Sequence, residues 1–182
     1  KSYTVDAEII VRGNLASENY KVRQYFKYPD RYRLEVISPS DKTGKVTVCD
    51  GERLYIYHPA IDQTYVIEKY REVEEGYMFP GYFAKNLFTG EDAVYGTVKS
   101  GADKYISIRA GIPGGNNYRR WQTIYIDSST INPVKMELLD KDQNAAVTII
   151  YKNFIYNAKI DEKLFAPESL NSGQGSGQNL RQ

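Results

Sequence analysis

The chain offers one thiol and one imidazole as candidate catalytic groups. Cys49 and His58 are its only cysteine and its only histidine, and they flank an Asp50-Gly51 turn. A thiol nucleophile needs a positioned base and a lowered pKa, so a Cys49–His58 pair across this hairpin is one interpretation. The interpretation we favour is that Cys49 is a small strand residue and His58 a structural or solvent-facing side chain. Single copies exclude an intramolecular disulfide and any site built on two histidines.

Two loops resemble ligand-binding motifs but lack their defining residues. Residues 140–144 read Asp-Lys-Asp-Gln-Asn, as a calcium loop begins, yet Ala145 stands where that loop needs glycine, and the closing glutamate is missing. Because the flanking segments are predicted strands, we predict a hairpin turn. Residues 111–117 are rich in glycine, but neither the lysine nor the helix of a phosphate-binding loop follows them. We predict a plain connecting loop.

The charged clusters do not predict an active site. The acidic pairs Glu74-Glu75 and Glu91-Asp92 fall at predicted element ends, and adjacent acids do not define a catalytic pair across a cleft. Arg119-Arg120 beside Trp121 could form a basic-aromatic patch, but a formal net charge of +1 argues against nucleic-acid binding. We therefore predict a protein that is not an enzyme, without catalytic residues, metal site, cofactor or nucleic-acid partner.

The elements that would position any site are strands with alternating faces. In residues 3–11 every second residue is apolar, and the return strand places Val22 and Phe26 inward. The next strand sets Tyr32, Leu34 and Val36 against an outward Arg31, Arg33 and Glu35. A period of two is typical of a sheet with one buried and one solvated face. Continued along the chain, it predicts roughly ten or eleven antiparallel strands, and a twisted sheet of that width usually curls.

One segment departs from this pattern. Between residues 72 and 88 the aromatic and aliphatic residues take helical spacing, interrupted by Pro80-Gly81 and stopped by Thr89-Gly90. Pro80 argues against a single long helix. We predict one or two short helices against the sheet, with a covering face made of Tyr77, Phe79, Phe83 and Leu87.

Length and composition predict a single globular domain. The chain has 182 residues, among them 17 tyrosines, which suit half-buried sheet surfaces. We assign residues 1–170 to one β domain and expect the Ser/Gly/Gln-rich residues 171–182 to be a disordered tail. No apolar run is long enough for a transmembrane helix. Because the chain starts at Lys1 without methionine, we expect a leader upstream of it.

Four stretches resemble one known family. They are the Tyr-Pro-Asp turn with its flanking strands (residues 26–33), Asp50-Gly51 with the strand at 54–57, the Pro-Val-Lys of residues 133–135, and the Leu-Phe-Ala-Pro of residues 164–167. With these motifs the chain resembles the LolA/LolB-type lipoprotein carrier superfamily over nearly its whole length. That resemblance implies a wide antiparallel sheet curled into an unclosed half-barrel, with short helices on its concave apolar face.

Within the superfamily the chain is most similar to clostridial spore-germination lipoproteins. This resemblance implies a non-catalytic lipoprotein of the cell envelope or forespore intermembrane space, attached to the membrane only through a lipid anchor upstream of the sequence. It also implies a scaffold role in spore cortex modification, with a partner such as an N-acetylmuramoyl-L-alanine amidase.

The alternative function is a lipid or lipoprotein carrier that binds acyl chains in its concave cavity. Ten inward apolar residues are the candidates to line that cavity: Val5, Ile9, Val22, Phe26, Leu34, Val36, Ile106, Ile108, Met136 and Leu138. The competing interpretation is that they fill a closed core. A carrier needs an unfilled cavity, whereas the interior of a scaffold protein can be fully packed.

Overall fold

The chain forms one open antiparallel sheet of eleven strands. The computed structural model describes residues 1–13, 15–68, 74–89 and 92–170. The strands are β1 (Ser2–Arg12), β2 (Ser17–Lys27), β3 (Arg31–Ser38), β4 (Val46–Cys49), β5 (Leu54–His58), β6 (Gln63–Ile67), β7 (Val94–Ser100), β8 (Asp103–Gly111), β9 (Trp121–Asp127), β10 (Pro133–Leu139) and β11 (Ala145–Tyr156). The predicted mainly-β, unclosed sheet is confirmed. The tail at 171–182 and Glu91 lie outside the described residues.

The strand order puts the ends of the chain at the centre of the sheet. It runs β6-β5-β4-β3-β2-β1-β11-β10-β9-β8-β7, so β1 pairs with β11 and joins two meanders. Within each meander the strands that follow one another in sequence pair antiparallel. In the described part of the chain, β6 and β7 each have one partner strand and form the two edges.

Bulges accompany the curl of the sheet. Register shifts interrupt four pairings: β1 with β11, β10 with β11, β10 with β9, and β2 with β3. A bulge increases the local twist and bends its strand. The alternating residues of β1 (Tyr3, Val5, Ala7 and Ile9) are at most 5% exposed, and they lie on the concave face with the main core. The alternation predicted from the sequence therefore identifies the buried face of the sheet.

Two short helices cover this face, as predicted. A 3₁₀ helix at Glu74–Met78 is followed by α1 (Pro80–Thr89), and proline opens the second helix, where its missing N–H costs nothing. No helix in the described residues has the length and hydrophobicity needed to span a bilayer.

The convex face carries a second, smaller core that the sequence analysis missed. Val46, Val48, Tyr55, Tyr57 and Leu170 are buried together. Leu170 ends a C-terminal strap, residues 161–170, that contains two 3₁₀ helices, Glu162–Phe165 and Pro167–Ser169. Phe165, from the predicted Leu-Phe-Ala-Pro motif, is 2% exposed.

The strap also corrects the prediction that Arg33 faces solvent. Arg33 is only 5% exposed, because its guanidinium lies beneath the strap. It donates to the carbonyl of Leu164 at 3.2 Å, to Oγ of Ser169 at 2.8 Å and to the carboxylate of Glu35 at 2.7 Å. The alternation assigned the correct face, but a segment more than 130 residues later in the chain covers it.

Candidate functional site on the concave face

The site begins with a lid, residues 74–89, packed on the centre of the concave face. Phe79 and Phe83 are 0% and 3% exposed. The ring of Phe79 lies 4.5 Å from that of Tyr32 and 6.3 Å from that of Phe26, and Tyr82 meets Phe26 edge-on at 5.7 Å. Leu87 and Tyr77 are partly buried against the same core. The residues predicted to cover the sheet thus lie on it, divided between the 3₁₀ helix and α1.

Polar side chains of the sheet hold the backbone of the lid. Gln24 and Tyr151 both donate to the carbonyl of Met78, at 3.3 Å and 2.9 Å, and Gln122 donates to the carbonyl of Tyr77. The hydroxyl of Tyr3 accepts from the N–H of Gly81 at 3.3 Å. Burial raises the pKa of Tyr3 and of Tyr151 well above the ordinary value. Both phenols therefore stay protonated, and Tyr151 keeps its donor.

Gln24 and Gln122 hold the lid in place, and sequence reasoning missed both. Both are 0% exposed, and a buried amide is costly unless it is hydrogen-bonded. The available signal was their position, since each glutamine occupies an inward place in an otherwise apolar alternation. In the described part of the chain, Oε1 of each glutamine has no hydrogen-bond partner.

Beside the lid, a cavity of about 370 Å³ opens on the concave face. Its lining includes four of the predicted apolar residues, Ile9, Val22, Leu34 and Val36. Thr47 also lines it, 1% exposed, and its hydroxyl has no hydrogen-bond partner among the described residues. The cavity has an apolar wall and one buried polar group, which is typical of small-molecule sites.

The rim of the cavity is polar. Asp41, Lys42, Lys45 and His58 contribute to it. The ammonium of Lys42 lies 2.8 Å from the hydroxyl of Tyr20 and 3.0 Å from the carboxylate of Glu18, and these two partners raise its pKa. The charge of Lys42 is therefore paired with that of Glu18.

The other predicted cavity residues lie elsewhere. Phe26 contacts the lid through its ring, and Val5, Met136 and Leu138 are at most 2% exposed in the core. Ile106 and Ile108 share the concave face by register but are partly exposed, close to the β7 edge and outside the cavity. The structure thus divides the ten predicted residues between a cavity wall, a closed core and a sheet margin.

The structure does not bring Cys49 and His58 together. In the β4–β5 hairpin Cys49 pairs with Leu54, whereas His58 lies four residues farther along β5, a separation of roughly 13 Å along the strand. The imidazole meets the ring of Tyr65 edge-on at 5.6 Å. Burial raises the pKa of the Cys49 thiol to about 12, the opposite of what a thiolate nucleophile needs.

We expect Cys49 to be unreactive in the folded protein. At pH 8 a thiol of this pKa is deprotonated in roughly one molecule in ten thousand, and the side chain is 0% exposed. Titration with Ellman's reagent should label the native protein negligibly and the guanidinium-unfolded protein at one equivalent. C49S supplies the blank. Fast stoichiometric labelling of the native protein would contradict this expectation.

The remaining motifs take structural roles. Asp140 accepts from the N–H groups of Asp142 and Asn144 at 2.9 Å and 2.8 Å, which lowers its pKa and closes the β10–β11 turn as predicted. Trp121 lies beneath the guanidiniums of Arg109 and Arg120, at 5.5 Å and 5.9 Å from its ring. In the described part of the chain, no three acidic, cysteine or histidine side chains form a metal-binding group. The side chains of Glu74 and Glu75 lie outside the described residues.

Fold and site together define a class: an unclosed antiparallel half-barrel with a helical lid on its concave face. A family model described as sporulation protein YdcC-like matches residues 1–165, and the chain belongs to this family. No curated protein matches the chain.

Three solved structures resemble the chain over most of its length. The chain is similar to one in the structure of the CwlD amidase from Clostridioides difficile in complex with the GerS lipoprotein, at 34% identity over 85% of this chain and 86% of that one, with a TM-score of 0.57. The predicted resemblance to a clostridial spore-germination lipoprotein is confirmed. A lipoprotein-sorting protein domain from Vibrio parahaemolyticus is similar at 13% identity over 93% and 91% of the two chains, with a TM-score of 0.52. An uncharacterised conserved protein from Thermus thermophilus has 12% identity over 91% and 83%, with a TM-score of 0.59. The last two show the fold alone.

Proposed function

We propose that this protein is a non-catalytic envelope lipoprotein that binds and supports a cell-wall amidase during modification of the spore cortex. The observation that carries the proposal is the 34% identity, over 85% of this chain, to a chain in the structure of the CwlD amidase in complex with the GerS lipoprotein. Membership of a sporulation-protein family supports the same process. In this proposal the protein is extracytoplasmic and held to the membrane by a lipid attached upstream of Lys1.

The chemistry of the described residues supports a binding role. The Cys49 thiol is protonated and distant from His58. Large apolar side chains are exposed along the edge strands, with Tyr95 at 65% and Val66 at 50%. Aromatic residues make effective contact anchors in protein interfaces, and an open sheet edge can accept another strand.

The test is reconstitution with the N-acetylmuramoyl-L-alanine amidase of the same organism. The two purified proteins should co-elute as a stoichiometric complex, and amidase activity on cortex peptidoglycan should rise when this protein is added. This protein alone should release no product. Two separately eluting proteins, with unchanged amidase activity, would rule the proposal out.

The cavity favours a second candidate function, the binding of a single acyl chain. Its volume of about 370 Å³ holds roughly a dozen groups of water size, at about 30 Å³ each. Its wall is formed by Ile9, Val22, Leu34 and Val36, so an alkyl chain would be shielded from water over most of its length.

A substitution that fills the cavity separates the two functions. We expect V36W to abolish uptake of a fluorescent fatty acid, because the indole occupies the apolar wall, while leaving amidase binding intact. I106W is the matched control, since Ile106 lies on the same face outside the cavity. Native mass spectrometry after mild purification should find an acyl species on the unsubstituted protein only if it is a carrier. Absence of both acyl species and uptake ends this hypothesis.

A further inference from the structure

The edge strand β7 is an unusually open surface of this molecule. All seven of its residues are exposed, and it pairs only with β8 in the described part of the chain. Val94, Tyr95 and Val98 expose between 41% and 65% of their surface. Natural edge strands are usually protected by several charged side chains, lysine above all, or by proline, bulges or a covering segment. β7 carries a single charge, Lys99, near its end.

Two lysines occupy opposed positions at that end of the β7–β8 hairpin. Lys99 and Lys104 are directly opposite each other in the β7–β8 register, and both are exposed. Neither forms an ion pair with another described residue. Like charges in directly opposed positions repel each other. An anion placed beside them would remove that repulsion.

The nearest acids do not supply this anion. Asp103 and Asp127 flank the hairpin, but alternation puts the register positions of Asp103 and Tyr105 on the face opposite Lys104. The hydroxyl of Tyr105 donates to Asp103 at 3.3 Å. The carboxylate of Asp127 accepts from the N–H groups of Ser129 and Thr130. Asp103 is therefore engaged by a neighbour on its own strand, and Asp127 by the turn that follows it.

The opposite edge of the sheet differs in this respect. β6 has five residues, and the charges at its end satisfy each other, since Arg53 lies 3.1 Å from Glu68. Among the residues that the structure describes at this edge, β6 itself has exposed apolar side chains and carries no charge. Of the two edges, as far as the structure describes them, β7 is the one that combines an exposed strand with two opposed lysines, Lys99 and Lys104, that form no ion pair.

We propose that β7 is the docking edge for an extended segment of the partner protein, which pairs as an added strand and places an acidic side chain against Lys99 and Lys104. Main-chain hydrogen bonds along the edge would provide affinity, and the lysine pair would fix the register. The inference rests on the proposed function for the identity of that partner, the amidase. The apolar residues of the added strand would lie against Tyr95 and the partly exposed Ile108, which pair across β7 and β8.

The test is a double charge reversal, K99E/K104E, assayed against the purified amidase. This variant replaces one pair of like charges by another, so the repulsion within the hairpin is preserved. Only the sign of the charge that faces the partner changes. The dissociation constant should rise on the order of tenfold at low salt, and its salt dependence should fall, because complementary interface charges act through screened electrostatics. K21E/K159E is the control with the same net charge, at two exposed lysines outside the edge.

Hydrogen exchange supplies a second measurement. Amides within 94–100 should be protected when the amidase is bound, and those of 63–67 should be unchanged. Binding that survives K99E/K104E, with β7 unprotected, overturns the edge inference and leaves the amidase proposal standing. Protection of β7 at high concentration without amidase would identify a second copy as the occupant and overturn it too. If the unsubstituted protein fails to bind the amidase, both proposals fall.

Discussion

F79A should lower the free energy of unfolding by about 3–5 kcal/mol, the cost of removing a fully buried aromatic ring. Phe79 is 0% exposed and packs against Tyr32 and Phe26. Because it joins the two helices of the lid, its loss should weaken the docking of both. The measurement is equilibrium unfolding in urea, monitored by circular dichroism.

F88A is the matched control for this substitution. Phe88 belongs to the same lid, yet it is 88% exposed, so its truncation should change stability by less than about 0.5 kcal/mol. Equal effects of the two substitutions would show that the lid is not docked as described. A loss confined to F79A would establish that the lid is part of the folded core.

G81A should destabilise the protein by about 1–3 kcal/mol, the range for an overpacked core. A β-carbon at position 81 would lie 2.3 Å and 2.4 Å from two atoms of the Phe26 ring, which is itself 3% exposed and packed by other rings. In an exposed helix the same change would stabilise by up to about 1 kcal/mol. The contact with Phe26 therefore makes destabilising a glycine-to-alanine change that would normally stabilise a helix. For a chain of this size each kcal/mol corresponds to roughly 2–4 °C in Tm, which differential scanning calorimetry can resolve.

G76A tests whether the contact, and not the loss of a glycine, is responsible. Gly76 lies in the same lid, and the nearest atoms to its added β-carbon are those of the Tyr82 ring at 3.9 Å, an ordinary contact. The free energy of unfolding of G76A should therefore differ little from that of the unsubstituted protein. If G81A were as stable as G76A, the close approach of α1 to Phe26 would be wrong.

The lid affects one of the two candidate functions, ligand binding in the cavity, and not the other. It closes the centre of the concave face and leaves the cavity beside it, with Met78 in the wall of that cavity. Met78 is also the residue whose carbonyl is held by Gln24 and Tyr151. A lid fixed at that point gives a preformed cavity, whereas binding at the β7 edge requires no movement of the lid.

Much of the fold could be predicted because alternation is a local property. The apolar positions of β1 and the turns at 50–51 and 140–144 are visible in a few adjacent residues, and each has its predicted role. The resemblance of the strand and turn motifs to one superfamily added the curl of the sheet. Pro80 marked the break between the two helices for a similarly local reason.

The candidate site could be predicted only in part, because position within a face depends on distant segments. Ile9 and Ile106 have the same inward pattern in sequence, yet one lines the cavity and the other lies at the sheet margin. Gln24 interrupts an apolar face. Its burial there is explained by the hydrogen bond that its side chain donates to the carbonyl of Met78 in the lid, which is distant in sequence.

The sequence by itself determined the alternation, the turns, the single thiol and the absence of a second histidine, since these depend on residue type and on neighbours within a few positions. Tertiary structure decided that Arg33 is buried, that Cys49 and His58 are apart, and that Lys99 faces Lys104 on an open edge. Burial and strand register are set by segments far away in the chain, so side chains of the same type and spacing acquire different environments.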